Sequence, residues 1–136
     1  MAFKFEDAYP GSKAFLELPL LRIPSGWRIE MNELSSRMES DRCMLGSVLF
    51  YATNAGTRFN IEVSVWPEQD PAAAFFLTVT YAPWPRTERG RRIKDVPLTF
   101  LDGEIVHESR TESYTSMIAE LQHWIARCTV WTREGN

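Results

Sequence analysis

Residues 58–82, RFNIEVSVWPEQDPAAAFFLTVTYA, carry the clearest structural signal in the chain. Two runs of alternating apolar and polar residues flank WPEQDP, residues 66–71, and such alternation is typical of strands that are buried on one face. The predicted core positions are Phe59, Ile61, Val63 and Val65 in the first run, and Phe75, Leu77, Val79 and Tyr81 in the second. We therefore predict two antiparallel strands with the WPEQDP loop between them.

Further strands are predicted on both sides of this pair. WRIEMNEL, from Trp27, alternates with Trp27, Ile29 and Met31 on one face. CMLGSVLFYAT, from Cys43, has the apolar composition of a central strand, and NAGT, residues 54–57, is a hairpin signal. VPLTFL and EIVHES flank Asp102-Gly103, which predicts a second hairpin with a two-residue turn of positive φ.

The periodicity changes to that of a helix near the C-terminus. Ile118, Leu121 and Ile125 lie on one stripe, with Met117, Trp124 and Cys128 beside it. Either Ser113 alone or Ser109 together with Glu112 can cap the helix. Strands followed by one helix predict an α+β fold, with an antiparallel sheet of five to six strands and a C-terminal helix on one face.

The length of 136 residues predicts one domain. Within it we expect an irregular N-terminal segment over 1–26, the sheet over 27–110 and the helix over 111–128. A chain of this size buries enough surface to fold without a disulfide or metal. We also expect Cys43 and Cys128 to be reduced thiols in a cytoplasmic protein, because the sequence has no CxxC, signal peptide or membrane-length apolar run.

Motifs for catalysis and for metal or cofactor binding are absent from the sequence. His107 and His123 are the only histidines, and nothing in the sequence brings them together as an acid–base pair. No HExxH, Cys/His cluster, GxGxxG or phosphate-binding loop occurs, and two carboxylates, Glu68 and Asp70, are too few to specify a cation. We predict that the protein is not an enzyme and that it uses no cofactor.

The WPEQDP loop has two interpretations. It can be a rigid turn, because prolines restrict φ and Asp70 can bond its own backbone. It can also be a contact surface, because Trp66 falls on the outward side of its strand together with Glu62. An exposed tryptophan beside carboxylates is typical of an interface anchor with charge steering.

The basic segment RTERGRRIK, residues 86–94, departs from the acidic character of the chain, whose net charge is −3. Residues 81–97 carry five bases and two acids, and Trp84 lies next to the arginines. This composition fits phosphate and base stacking, a solvated loop between two strands, or contact with an acidic protein. The chain is mildly acidic with one basic segment, whereas basic charge usually dominates a whole face of a nucleic-acid-binding protein, so direct nucleic-acid binding is not predicted.

The order of these motifs resembles small bacterial immunity proteins of polymorphic toxin systems, including contact-dependent growth inhibition. The residues that match are Pro24-Ser25-Gly26-Trp27, the aromatic-Pro-Glu-x-Asp-Pro turn at 66–71, and the closing helix SMIAELQHWI. The arginine-rich PRTERGRRIKD is an insertion relative to that pattern. The resemblance implies a cytoplasmic protein that binds and blocks the C-terminal domain of its own toxin, often a nuclease, and has no chemistry of its own.

Two surfaces are candidates for that partner. The first is predicted to comprise Glu30, Glu62, Trp66, Glu68 and Asp70. The second comprises Trp84, Arg86, Arg89, Arg91 and Arg92. Two other functions stay open: a secretion or assembly chaperone that holds an unfolded protein segment, and a ribonuclease-like enzyme that uses His107.

Overall fold

A computed structural model describes residues 21–35, 38, 48–67 and 70–133 of the chain. Five strands form one antiparallel sheet in which every strand pairs with its neighbours in sequence. The elements in this part of the chain are β1 Trp27–Asn32, β2 Val48–Asn54, β3 Phe59–Trp66, β4 Ala74–Tyr81, β5 Glu104–Thr111 and the helix α1 Tyr114–Val130. The predicted α+β fold, with a C-terminal helix packed on an antiparallel sheet, is confirmed.

The core lies between α1 and one face of the sheet. Across β3 and β4, Ile61 pairs with Val79 and Val63 pairs with Leu77, and all four are buried, so the predicted core faces of both strands are confirmed. The helix starts at Tyr114, and its N-cap is Ser113, whose hydroxyl accepts a hydrogen bond from the amide of Ser116. Its buried positions follow the helical repeat and are Tyr114, Met117, Leu121, Ile125 and Cys128.

The buried stripe of the helix differs from the predicted one in its first turns. Leu121 and Ile125 are fully buried as predicted, but Ile118 is only partly buried and flanks the core. Tyr114 and Met117 take the buried positions of the first turns instead. The packed stripe of a helix follows a period of 3.6 residues, which Tyr114, Met117, Leu121, Ile125 and Cys128 satisfy better than a set that starts at Ile118.

The NAGT hairpin is confirmed as the connection between β2 and β3. The side-chain oxygen of Asn54 accepts from the amide of Thr57, and the backbone oxygen of Asn54 accepts from the amide of Arg58. The residue that closes the turn is Arg58, with φ +68. Its buried guanidinium donates to the carbonyl of Ala82 at 2.7 Å, so this turn is joined to the end of β4.

The predicted hairpin at Asp102-Gly103 is wrong. VPLTFL forms no strand, and the amide of Gly103 donates to the carbonyl of Phe100 in a turn in which neither Asp102 nor Gly103 has a positive φ. Glycine is required here for space: a Cβ on Gly103 would lie 2.5 Å from Cγ2 of Thr80. The segment 98–103 is therefore held close against β4 without being part of the sheet.

The predicted alternation in β1 is also wrong beyond Ile29. Ile29 pairs with Ala52, whereas Met31 pairs with Tyr51, because one extra residue, Glu30, forms a bulge between them. Met31 therefore lies on the opposite face of the sheet from Ile29. A similar irregularity in β5 separates Ile105, which pairs with Thr80, from His107, which pairs with Val79.

Several predictions fall outside the described residues. They concern the N-terminal segment up to residue 20, the thiol of Cys43 and the position of Glu68. Cys128, by contrast, is a free and buried thiol, as predicted. Burial raises the pKa of Cys128 to about 12, which makes it a packing residue rather than a nucleophile.

Candidate functional site

The face of the sheet opposite α1 is the part of the molecule best suited to binding. Strand alternation places the polar partners of the core residues on this face, beginning with Asn60 and Glu62 of β3 opposite Thr80 and Thr78 of β4. A groove of about 800 Å³ runs over it. Strands β1 to β4 supply the floor, and residues 98–101 supply one wall.

Two carboxylates lie on either side of a tyrosine on the groove floor. Tyr51 of β2 pairs with Glu62 of β3 and faces the bulge at Glu30 of β1. Burial raises the pKa of the Tyr51 phenol, and the negative charges of Glu30 and Glu62 raise it further. Tyr51 is therefore a neutral hydroxyl in a negative field, able to donate one hydrogen bond and accept others.

Arg28 at the rim offsets this negative charge only in part. Its Nε lies 3.7 Å from Oε1 of Glu30, and its side chain is 84% exposed. An exposed ion pair at that distance contributes little because water screens it. In the part of the chain that the structure describes, Glu62 has no ion pair, although it is half-buried.

The groove wall is chemically different from the floor. Leu98, Phe100 and Leu101 line it, and Leu101 is 93% exposed. The turn at Gly103 holds this segment against Thr80. An acidic floor and an apolar wall thus face the same space. Tyr51 was not singled out from the sequence. The wall was missed because VPLTFL was assigned to a hairpin strand.

The residues predicted for the first surface separate into two groups. Glu30 and Glu62 line the groove, whereas Trp66 ends β3 with 63% of its surface exposed. Trp66 has the same strand parity as Glu62 and lies four residues, or about 13 Å, further along the strand. It therefore belongs to the same face of the sheet but to a different part of it, because it does not line the groove.

Asp70 is engaged in a turn. Its side-chain oxygen accepts from the amide of Ala72 at 2.8 Å, and its carbonyl accepts from the amide of Ala73. These bonds are the local backbone contacts expected of an aspartate that shapes a loop. The turn interpretation of the loop thus applies to Asp70, while exposed Trp66 fits the contact interpretation.

The second predicted surface is partly occupied by its own contacts. The guanidinium carbon of Arg58 lies 4.0 Å from the centre of the Trp84 ring, and that of Arg92 lies 5.3 Å away. The Arg86 side chain donates to the carbonyl of Gly90, and the backbones of Arg86 and Arg92 pair in an isolated antiparallel β-bridge. Arg89 and Arg91 are exposed near the tip of this segment. Trp84 therefore anchors the segment, which leaves mainly the tip for a partner.

A histidine cluster between β5 and α1 was not foreseen. His107 stacks on Trp124 with ring centres 4.5 Å apart, and His123 meets the same indole edge-on at 5.5 Å. Nε2 of His107 lies 2.5 Å from Oε1 of Glu120. His107 pairs with buried Val79 and so lies on the helix side of the sheet, whereas the irregularity in β5 places Ile105 opposite Thr80. A bulge of this kind has no reliable signature in a single sequence.

The chemistry of this cluster is that of a connection between helix and sheet. Burial tends to raise the pKa of Glu120, but hydrogen bonds from Ser109 and His107 and the charges of His107 and His123 lower it overall. The contact between His107 of β5 and Glu120 of α1 joins the sheet to the helix. No group of three or more His, Cys, Asp or Glu side chains suited to a metal occurs among the described residues.

Comparisons with known proteins found no protein family, curated protein or solved structure that matches the chain. Among the described residues, α1 is too short and too polar to cross a bilayer. The open sheet face, with its groove and the exposed Trp66, is therefore the feature from which a function can be argued.

Proposed function

We propose that this protein is an immunity protein that binds and neutralises a cognate toxin domain in the bacterial cytoplasm, without catalysis of its own. The observation that carries the proposal is the sheet face opposite α1, which presents both an acidic groove and, further along β3, an exposed tryptophan. Tyrosine and tryptophan are enriched where interfaces gain most of their binding energy. A rigid sheet also loses little conformational entropy when it docks.

The charge of this face supports a basic partner. Glu30 and Glu62 make the groove floor negative, and Arg28 compensates them weakly. Nuclease domains carry positive surfaces for phosphate, so an acidic inhibitor associates with them quickly and covers the substrate site. The resemblance at Pro24–Trp27 and at the WPEQDP loop supports the same class of partner.

We expect a toxin domain to be encoded directly upstream of this protein. The experiment measures binding to that domain and protection of cells from it. The purified protein is titrated into the folded toxin domain, and the toxin is expressed in cells with and without it. We expect a one-to-one complex and restored growth. Binding that occurs only with denatured or truncated partner would instead identify a chaperone that holds an unfolded segment. Absence of both binding and protection would contradict the proposal.

A ribonuclease-like activity is the second candidate, and the histidine cluster is the observation that favours it. His107 and His123 both contact Trp124, and His107 also contacts Glu120, so the structure brings together two histidines that nothing in the sequence connected. Because His107 is engaged with Glu120 and covered by Trp124, we expect the double variant His107→Gln/His123→Gln to protect cells as the parent does. Hydrolysis of RNA by the purified protein that is lost in His107→Ala would favour the enzyme.

A further inference from the structure

The groove has an acidic floor and an apolar wall, and each carries a side chain that a partner could stabilise. On the floor, Glu62 is half-buried without an ion pair in the described part of the chain. On the wall, Leu101 presents an almost fully exposed apolar side chain. A carboxylate that is partly withdrawn from water gains from a cation, and an exposed leucine gains from an apolar neighbour.

The volume and openness of the groove favour an occupant larger than one cation. A space of about 800 Å³ lies within the range of sites that hold drug-sized ligands. A small cation would satisfy the carboxylates but leave Leu98, Phe100 and Leu101 in water. An occupant that satisfies both sides must carry a positive group and an apolar group, as a segment of polypeptide does.

We propose that the groove receives a lysine or arginine side chain of the protein partner, between Glu30 and Glu62 and over Tyr51, while an adjacent apolar side chain of the same segment packs on Leu101. The identification of that partner as the toxin domain rests on the proposed function; the chemistry of the groove does not. The Tyr51 hydroxyl and the two carboxylates offer the acceptors that an ammonium or guanidinium requires.

The first test uses the complex with the toxin domain. Glu62→Lys places a positive charge where the partner's cation is to lie, and we expect the affinity to fall about 100-fold. Leu101→Ser should weaken binding about tenfold, because it removes the apolar side chain on which the partner's apolar group is to pack. The matched controls are Glu108→Lys, on the same sheet face but outside the groove, and Val130→Ser, an exposed apolar site on α1; both should stay within about twofold.

Charge exchange makes this test specific. A partner variant in which the inserted lysine or arginine becomes glutamate should lose binding to the parent and regain at least part of it with Glu62→Lys. Folding of every variant is checked by its thermal unfolding curve before binding is measured. If Glu62→Lys and Leu101→Ser both bind like the parent, the groove is not the contact, whereas the proposed function would still stand.

The second test needs no toxin domain. Two synthetic peptides, acetyl-Gly-Leu-Arg-Leu-Arg-Gly-amide and its counterpart with glutamate for arginine, are titrated into the ¹⁵N-labelled protein. We expect the arginine peptide to shift the amide signals of Tyr51, Glu62 and Leu101 and the glutamate peptide to leave them in place. No shift at millimolar peptide, or equal shifts with both peptides, would overturn the inference. If the arginine peptide binds in the groove but the protein forms no complex with the toxin domain, the proposed function is contradicted and the inference about the groove stands.

Discussion

The two faces of the sheet have the same strands but different tasks. On the face toward α1, strands β3 and β4 contribute only buried apolar residues, and packing is continuous with the helix. On the opposite face the same strands contribute Asn60, Glu62, Thr78 and Thr80, and a groove is left open. The first face accounts for stability, while the second holds the features that a partner can recognise.

This comparison predicts that substitutions on one face change stability and those on the other change binding. The largest effect is expected for Leu121→Ala, because Leu121 is fully buried between the helix and the sheet. The free energy of unfolding should fall by about 2–5 kcal/mol in urea titration. The control Val130→Ala, on the exposed side of α1, should stay within about 0.5 kcal/mol. A loss at Leu121 below that of the control would contradict the assigned core.

On the face opposite α1, Trp66→Ala should weaken binding and leave stability nearly unchanged. Trp66 is 63% exposed, so its removal should leave the unfolding free energy nearly unchanged. We expect it to weaken the toxin complex by about 2 kcal/mol, mostly through faster dissociation, as measured by surface plasmon resonance. Arg89→Ala, at the exposed tip of the arginine-rich segment, provides the comparison with the second surface. A larger loss at Arg89 than at Trp66 would make that segment the main contact.

At Asp70, two substitutions separate the effect of the charge from that of the hydrogen bond in the turn. Asp70→Asn keeps an acceptor for the Ala72 amide but removes the charge, so stability should be retained. The association rate with a basic toxin should fall a few-fold at low ionic strength, and this difference should disappear near 1 M salt. Asp70→Ala should in addition lower stability by about 1 kcal/mol. The exposed Asp95→Asn is the control, and an equal effect there would indicate only net charge.

The smallest expected effect concerns Glu120 and pH. Its pKa is lowered in the folded protein from the ordinary value of 4.5, so its ionised form stabilises the fold above that value. This contribution is lost as the pH falls below about 4.5 through the folded pKa. Parent and Glu120→Gln should therefore differ by less than about 1 kcal/mol near pH 6 and converge as the pH falls through the folded pKa of Glu120. A difference that grows on acidification would contradict the lowered pKa.

The sequence was sufficient for the elements whose patterns are long and regular. The alternation of β3 and β4 predicted the core positions from Phe59 to Val65 and from Phe75 to Tyr81, because burial on one face leaves a period of two. The helix was found from its change of period, although Ile118 was placed on the buried stripe, where the structure has Tyr114 and Met117 in the first turns. Both successes depend on local periodicity alone.

The groove could be predicted only in part, for physical reasons that are specific to its pieces. Glu62 was found because strand parity is visible in the sequence. The bulge at Glu30 reverses the faces that follow it, so Met31 was misassigned. The apolar wall depends on the close approach of Gly103 to Thr80, which is a tertiary contact. In the sequence the same glycine indicated a hairpin turn instead. His107 and His123 meet at Trp124 only because β5 and α1 pack together.

The sequential strand order has a consequence for the kinetics of folding. Four residues, 55–58, separate β2 from β3, and seven, 67–73, separate β3 from β4, whereas 22 residues, 82–103, precede β5. Short loops lose the least entropy on closure, so β2, β3 and β4 should pair first. The acidic floor at Tyr51 and Glu62 is then built early, and the wall at residues 98–101 is added late. Hydrogen exchange should accordingly be slower in β3 than at Leu101, and a basic segment could be held by the floor before the wall closes beside it.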